Sequence, residues 1–271
     1  MPKLLKGRKL VVLDFGGVLR DSSAGLHEGY RAGFAKIGLP FDFRTVDTWH
    51  LRGIGKYDIG LECLKVLLAL QLAGEHDRLP EILAAPDAEA VLDGITAALG
   101  EREAELAERA RLGYKEFFNS AGAGLLVSIY PGAEAAVREL GEKGYLVALL
   151  TNGNRVTVDR DLPFADLFDH VASEDDVAAK KPSGKGLLHI MERLSVTADE
   201  TVFVCDAPND VQAAQDAGVA CVAVLSGMGL RPHLETARPD HIAAGLAEFV
   251  SGLPAHTTLE NTRRTVAAGG S

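Results

Sequence analysis

The chain has 271 residues, 47% of them apolar, enough to bury a substantial core in one large domain or two modest ones. Lys and Arg number 28 against 38 Asp and Glu, a net charge of −10, which argues against a general nucleic-acid binder or a protein held on an anionic membrane; an anionic ligand must be caught by local positive charge or a metal. Three scattered cysteines, Cys63, Cys205 and Cys221, lack C-x-x-C spacing, so they suggest neither a disulfide framework nor a zinc site and fit a reducing, cytoplasmic setting.

The opening MPKLLKGRKLVVLDFGG places a basic stretch before an apolar run, as a signal peptide does, but the run is short and Asp14 breaks it. Residues 10–13 (LVVL) therefore read as a first strand. Between Asp21 and about Gly124 the spacing becomes helical: Leu26, Tyr30, Phe34 and Ile37; Ile59, Cys63, Val66 and Leu70; Val91, Ile95 and Leu99; Leu106, Ala110, Tyr114 and Phe117. Pro86 and Gly100 punctuate these helices, and the charged run EREAELAER at 101–109 reads as a solvated helix face. Lys65 and Gln71 bracket the longest apolar stretch, which falls short of the roughly 20 residues of a membrane span.

Beyond residue 125 short apolar runs return at 145–150 (YLVALL), 201–205 (TVFVC) and 219–225 (VACVAVL), rich in Val and Leu and apolar on both faces, as strands buried between helix layers are. Helical patterns at 133–143, 185–194 and 209–217 separate them, the last stopped by Gly218. This alternation predicts a doubly wound, Rossmann-like α/β core formed by residues 1–20 and 125–252, with an all-helical cap inserted at 21–124 and a polar, flexible tail at 253–271.

Four segments carry the chemistry: VVLDFGGVL (11–19), LLTNG (149–153), AAKKPSG (178–184) and VFVCDAPND (202–210). Each begins with or closely follows a strand, which gathers Asp14, Thr151, Lys181, Asp206 and Asp210 at one end of the parallel sheet, where α/β proteins bind ligands. Asp14 leaves a buried strand beside a glycine turn, and an uncompensated buried carboxylate favours a cation partner. A hydroxyl and free backbone amides at Thr151 and Asn152 suit a transferring phosphoryl group, and a fixed ammonium at Lys181 offsets the repulsion between Asp14 and a phosphate dianion. Asp206 and Asp210 offer the hard oxygen ligands that Mg²⁺ prefers. Cys205, with nothing positive beside it but a metal, reads as a packed thiol.

In this order the segments resemble the catalytic signature of the haloacid dehalogenase superfamily, in the branch of phosphoglycolate phosphatase and beta-phosphoglucomutase relatives, over nearly all of residues 8–250. The resemblance implies a hydrolase of a small phosphorylated metabolite, a monomer or homodimer with no nucleic-acid or membrane partner. It also implies that Asp14 is the nucleophile, forming an aspartyl-phosphate while ligating Mg²⁺, that Lys181 bridges nucleophile and phosphate, and that Asp206 ligates the metal with Asp210 in support. The string HLRGIGKYD at 50–58 is similar to the family's substrate-selecting cap loop, so Arg52 or Lys56 is expected to bind the far end of the substrate, while Trp49 either stacks on a ring or fills the cap core.

The departure from the family pattern is Gly16, where its phosphatases have a second aspartate that protonates the leaving oxygen and then activates water. Glycine can do neither, although its carbonyl can still serve as a Mg²⁺ ligand. General acid–base catalysis contributes about 10²–10⁴ in rate, or roughly 3–5 kcal/mol of barrier. The expected outcomes are a phosphatase specialised for good leaving groups or helped by substrate or cap, a phosphonatase-like enzyme using a cap lysine (Lys56 or Lys65), or a binding or regulatory protein that keeps the Mg²⁺ pocket.

Overall fold

A computed structural model describes residues 6–255 apart from 59 and 121. Ile59 of the second cap pattern and residues 256–271 of the expected tail lie outside the described residues. The core is a six-stranded parallel sheet of β1 (Leu10–Asp14), β4 (Leu146–Leu150), β5 (His170–Ala172), β6 (Thr201–Cys205), β7 (Ala220–Val224) and β8 (His241–Ala243), in the order β5-β4-β1-β6-β7-β8. The chain winds outward from β1 on both sides, so the crevice above the carboxyl ends of β1, β4 and β6 lies where the winding reverses.

Alternation along the strands explains why these runs are apolar throughout. Val11, Leu13, Val147, Leu149, Val202 and Val204 face one layer with Val137, Leu140 and Phe249, from α7 (Ala133–Glu142) and α12 (Leu246–Ser251). Leu10, Val12, Ala148, Leu150, Phe203 and Cys205 face the other with Leu187 and Ile190 of α9 (Lys185–Leu194) and Val211 of α10 (Pro208–Ala217). Both faces are dry, the arrangement expected of a parallel sheet.

Between residues 22 and 124 every regular element among the described residues is helical: α1 (Ser23–Lys36), α2 (Thr45–Leu51), α3 (Gly60–Ala73), α4 (Leu79–Ala84), α5 (Ala88–Ala97) and α6 (Glu101–Phe118), with short 3₁₀ turns. They enclose a separate core that includes Tyr30, Phe34, Trp49, Leu51, Tyr57, Leu64, Leu67 and Leu92. At the tightest crossing, of α1 on α6, a methyl group on Gly33 would lie 2.7 Å from the Ala110 carbonyl oxygen and one on Gly113 2.7 Å from that of Ala32. A two-stranded antiparallel ribbon, β2 (Arg20–Asp21) with β3 (Ser128–Ile129), carries the chain out of the sheet and back. Hydrogen bonds between described residues that hold cap to core include His50 Nδ1 to the Met228 carbonyl oxygen (2.9 Å), Asn209 Nδ2 to that of Gly55 (3.0 Å) and His233 Nε2 to that of Leu83 (2.7 Å). No helix among the described residues is long and apolar enough to cross a membrane.

Candidate active site

The four sequence segments converge on a cavity of about 460 Å³ at the carboxyl edge of the sheet, lined by Asp14, Gly16, Arg20, Arg52, Thr151, Asn152, Lys181, Asp206, Asp210 and Met228 among others. Asp14 is the last residue of β1 and is 6% exposed. Lys181, 7% exposed, places Nζ 2.5 Å from Asp14 Oδ1 and 2.7 Å from Asp210 Oδ1. Asn152 clamps the lysine's backbone, accepting from its N–H at 2.9 Å and donating to its carbonyl oxygen at 3.0 Å. The Asn152 side chain thus positions Lys181, and of the backbone amides expected to be free, that of Thr151 donates to the Ala172 carbonyl oxygen at 3.0 Å. Thr151 Oγ1 accepts from the Gly153 amide (3.0 Å), which leaves the hydroxyl proton free to be donated into the cavity.

Asp206 follows β6 directly and is 1% exposed. The Met228 amide donates to its Oδ2 at 2.8 Å, while Oδ1 is buried with no hydrogen-bond partner. The loop after β7 and the turn after β1 close on this carboxylate so tightly that a methyl group on Gly227 or on Gly17 would lie 2.0 Å from Oδ2. Asp210 sits in the first turn of α10, where the helix dipole favours a carboxylate.

Burial raises the carboxyl pKa of Asp14 to about 6, opposed by Lys181 and reinforced by Asp210. Burial and then the charges of Asp14 and Asp210 push Asp206 well above the usual carboxylate range. Burial alone would pull the Lys181 ammonium down, but Asp14 and Asp210 outweigh it and hold it charged. Asp14, Asp206 and Asp210 offer oxygens within 4.8 Å of one another against the one buried ammonium of Lys181. With both carboxylate–lysine contacts made, the partnerless Asp206 Oδ1 is a full acceptor facing no donor, which in a buried site fits a hard divalent cation such as Mg²⁺.

A profile of haloacid dehalogenase-like hydrolases matches residues 8–218. The chain belongs to that family. A phosphoglycolate phosphatase of Neisseria gonorrhoeae is 27% identical over 250 residues, covering 90% of this chain and 92% of the relative. A pyrophosphatase of Bacillus mycoides is 32% identical over 128 residues, 46% of this chain and 60% of the relative. Among solved structures, a Lactobacillus delbrueckii subsp. bulgaricus protein provisionally named a phosphoglycolate phosphatase superposes with a TM-score of 0.68 at 20% identity, covering 93% of this chain and all of its own. A haloacid dehalogenase-like family hydrolase of Streptococcus pneumoniae gives 0.58 at 17% identity, covering 90% and 98%. At such identities the superpositions speak for the fold.

The cap residues divide. Arg52 lines the Asp14 cavity and lies near Tyr30 and Tyr114, whereas exposed Lys56 pairs with Asp93 (2.9 Å) and lines a larger neighbouring cleft of about 1330 Å³. Lys65 is paired with Glu62 at 2.8 Å and lines neither space. The lysines at the haloacid dehalogenase-like cavity are Lys180 and Lys181, from the core, so neither cap lysine considered for Schiff-base chemistry is beside Asp14. Trp49 is buried in the cap core and reaches the cavity wall. Cys205 packs 3.4 Å from Cys221, and burial raises its thiol pKa well above normal, as a structural thiol requires. Arg20 and the Gly227–Met228 loop are site residues that sequence reasoning missed. The one signal for Arg20 was a charge ending the apolar run DFGGVL.

Proposed function

We propose that the chain is a Mg²⁺-dependent phosphatase of a small phosphorylated metabolite, with Asp14 as nucleophile. The observation that carries this reading is the buried cluster of Asp14, Asp206 and Asp210 on one lysine, with a partnerless carboxylate oxygen, at the carboxyl edge of the sheet. Full-length relatives named phosphoglycolate phosphatase support it. When bound, Mg²⁺ supplies charge neutralisation for the phosphoryl group, with Asp14, the Gly16 carbonyl and Asp206 as its ligands and Asp210 tied to Lys181 beside them.

In this reading an Asp14 oxygen attacks phosphorus, the bond to the ester oxygen breaks with its electron pair going to the leaving group, and water then cleaves the aspartyl-phosphate. Lys181 holds Asp14 in place and balances its charge, the Thr151 hydroxyl donates to a phosphoryl oxygen, Asn152 fixes Lys181, and the Met228 amide fixes Asp206. Arg52 faces the organic part of the substrate, favouring one with an anionic or polar distal group. Gly16 leaves the leaving oxygen without an acid from the first segment, which favours good leaving groups or another stabiliser. A panel of phosphomonoesters, acyl phosphates and phosphonates assayed with and without Mg²⁺ tests this: Mg²⁺-dependent release of phosphate from esters is expected. Binding without turnover would instead support a regulatory protein that retains the pocket.

A further inference from the structure

Position 16 has room for a side chain to start. A methyl group built on Gly16 meets nothing within 4 Å, and the backbone there is not in the left-handed region. Nothing steric or conformational demands glycine. Beside that space stands Arg20. Its strand bridges to Gly16, and its carbonyl oxygen accepts from the Gly17 amide at 2.8 Å.

The guanidinium of Arg20 is held as a prepared donor rather than as a surface cation. Its side chain is 15% exposed, its carbon centre lies 4.4 Å from the Phe15 ring centroid, and Nη1 donates to Asp161 Oδ2 at 2.6 Å. Asp161 is already engaged by Arg160, whose Nε and Nη2 reach its two oxygens at 2.6 and 2.9 Å. Two guanidiniums thus share one carboxylate, so Asp161 does not fully neutralise Arg20 at the cavity wall. The Nε–H of Arg20 is buried and has no acceptor. Arg20 belongs to the wall of the Asp14 cavity. A buried, unfilled donor on a cation costs free energy unless a ligand oxygen completes it.

Resting on the phosphatase reading above, we propose that Arg20 substitutes electrostatically for the missing acid, with its guanidinium hydrogen-bonded to the ester oxygen of the substrate as that oxygen leaves. As the bond from Asp14 to phosphorus forms and the phosphorus–oxygen bond breaks, the electron pair passes to the leaving oxygen. Arg20 stabilises the resulting charge and keeps its own proton, and water supplies the proton of the released alcohol. A fixed guanidinium beside developing negative charge acts as an oxyanion-hole donor does, where loss of one donor costs about 10²–10³ in kcat.

The test compares wild type, Arg20→Met, Arg20→Lys and Asp161→Asn on alkyl phosphates and on aryl phosphates of graded leaving-group pKa. Arg20→Met is expected to cut kcat on alkyl phosphates by about 10²–10³ and on the best aryl leaving group by less than about tenfold, steepening the leaving-group dependence. Arg20→Lys should fall between. Asp161→Asn keeps the guanidinium and, in its amide oxygen, an acceptor to hold it, so it should steepen the slope far less than Arg20→Met. Equal losses on every substrate, a slope matched by Asp161→Asn, or a wild-type slope in Arg20→Lys would overturn the assignment and make Arg20 a packing residue. If Arg20→Met does not fold, as judged by circular dichroism, Arg20→Lys and Asp161→Asn decide by the same criterion. Absence of wild-type turnover on every ester would sink the phosphatase reading itself, an outcome distinct from these.

Discussion

Gly227→Ala adds one methyl group against the carboxylate that the metal needs. That methyl would lie 2.0 Å from Asp206 Oδ2 and 2.3 Å from its Cβ, where non-bonded carbons settle at about 3.5–4.0 Å. Something must move by roughly 1.5 Å. Asp206 cannot simply rotate away, because the Met228 amide holds Oδ2 at 2.8 Å and the Gly229 amide holds the Asp206 carbonyl oxygen at 3.0 Å. Gly227 has no left-handed backbone angle, so the perturbation is steric. Overpacking of this kind costs about 1–3 kcal/mol of stability. Misplacing a reacting group by about 1 Å costs about 10² in rate, and disturbing what orients a metal ligand costs about 10–100-fold in affinity. Calorimetric Mg²⁺ titration and turnover assays should therefore show both losses, with the melting temperature lowered by several degrees. Gly94→Ala serves as control: it lies within α5 with nothing within 4 Å, and should be neutral or stabilising by about 0.5–1 kcal/mol. Gly227→Ala with unchanged metal affinity, rate and melting temperature would refute the packing described around Asp206.

A Cβ at Gly16 meets nothing within 4 Å. Because Arg20 already stabilises the leaving oxygen, Gly16→Asp should raise turnover of alkyl phosphates by only about tenfold, the margin of general acid catalysis (about 10²–10⁴) over one charge-stabilising donor (about 10²–10³), while changing aryl phosphates little. A uniform change would show that proton supply does not limit the wild type. Asp206→Asn relieves repulsion in the metal-free cluster, so it should raise the metal-free melting temperature and abolish the further rise on adding Mg²⁺. Retention of that rise would place the metal elsewhere. Asp14 keeps its proton up to about 6 when folded against 3.8 for an unperturbed carboxyl, so metal-free stability drops as pH rises through that interval. The stabilisation by Mg²⁺ should accordingly grow over the same interval, and a pH-independent increment would count against ligation by Asp14. Arg52→Ala should raise KM for the metabolite while sparing small aryl phosphates, and Lys56→Ala should leave KM unchanged because its ammonium is committed to Asp93 outside the Asp14 cavity.

Much of this architecture was legible in the chain because burial on both faces writes itself as unbroken apolar runs. β1, β4, β6 and β7 lie within a residue or so of those runs, and the cap helices α1, α3, α5 and α6 follow the marked faces. The three-residue edge strands β5 and β8 each begin with a histidine, and α2 and α4 are too short to show a helical period, so none of the four announced itself. Asp14, Thr151, Asp206 and Asp210 converged because each sits at or just beyond the end of a strand or in the first turn of a helix, and Lys181 joins them from the loop between β5 and α9. The place of Arg20 at the site, and the contacts of Asn152 and Lys56, were not legible for one reason: their partners, Asp161, the Lys181 backbone and Asp93, lie far along the chain, and only folding brings them together.

The measurement that reaches the central claim most directly is capture of the covalent intermediate: turnover in the presence of Mg²⁺, rapid acid quench, and peptide mapping by mass spectrometry. The account predicts a phosphoryl group on Asp14, absent without Mg²⁺ and absent in Asp14→Asn. A phosphorylated residue elsewhere, or undiminished turnover by Asp14→Asn, would contradict it.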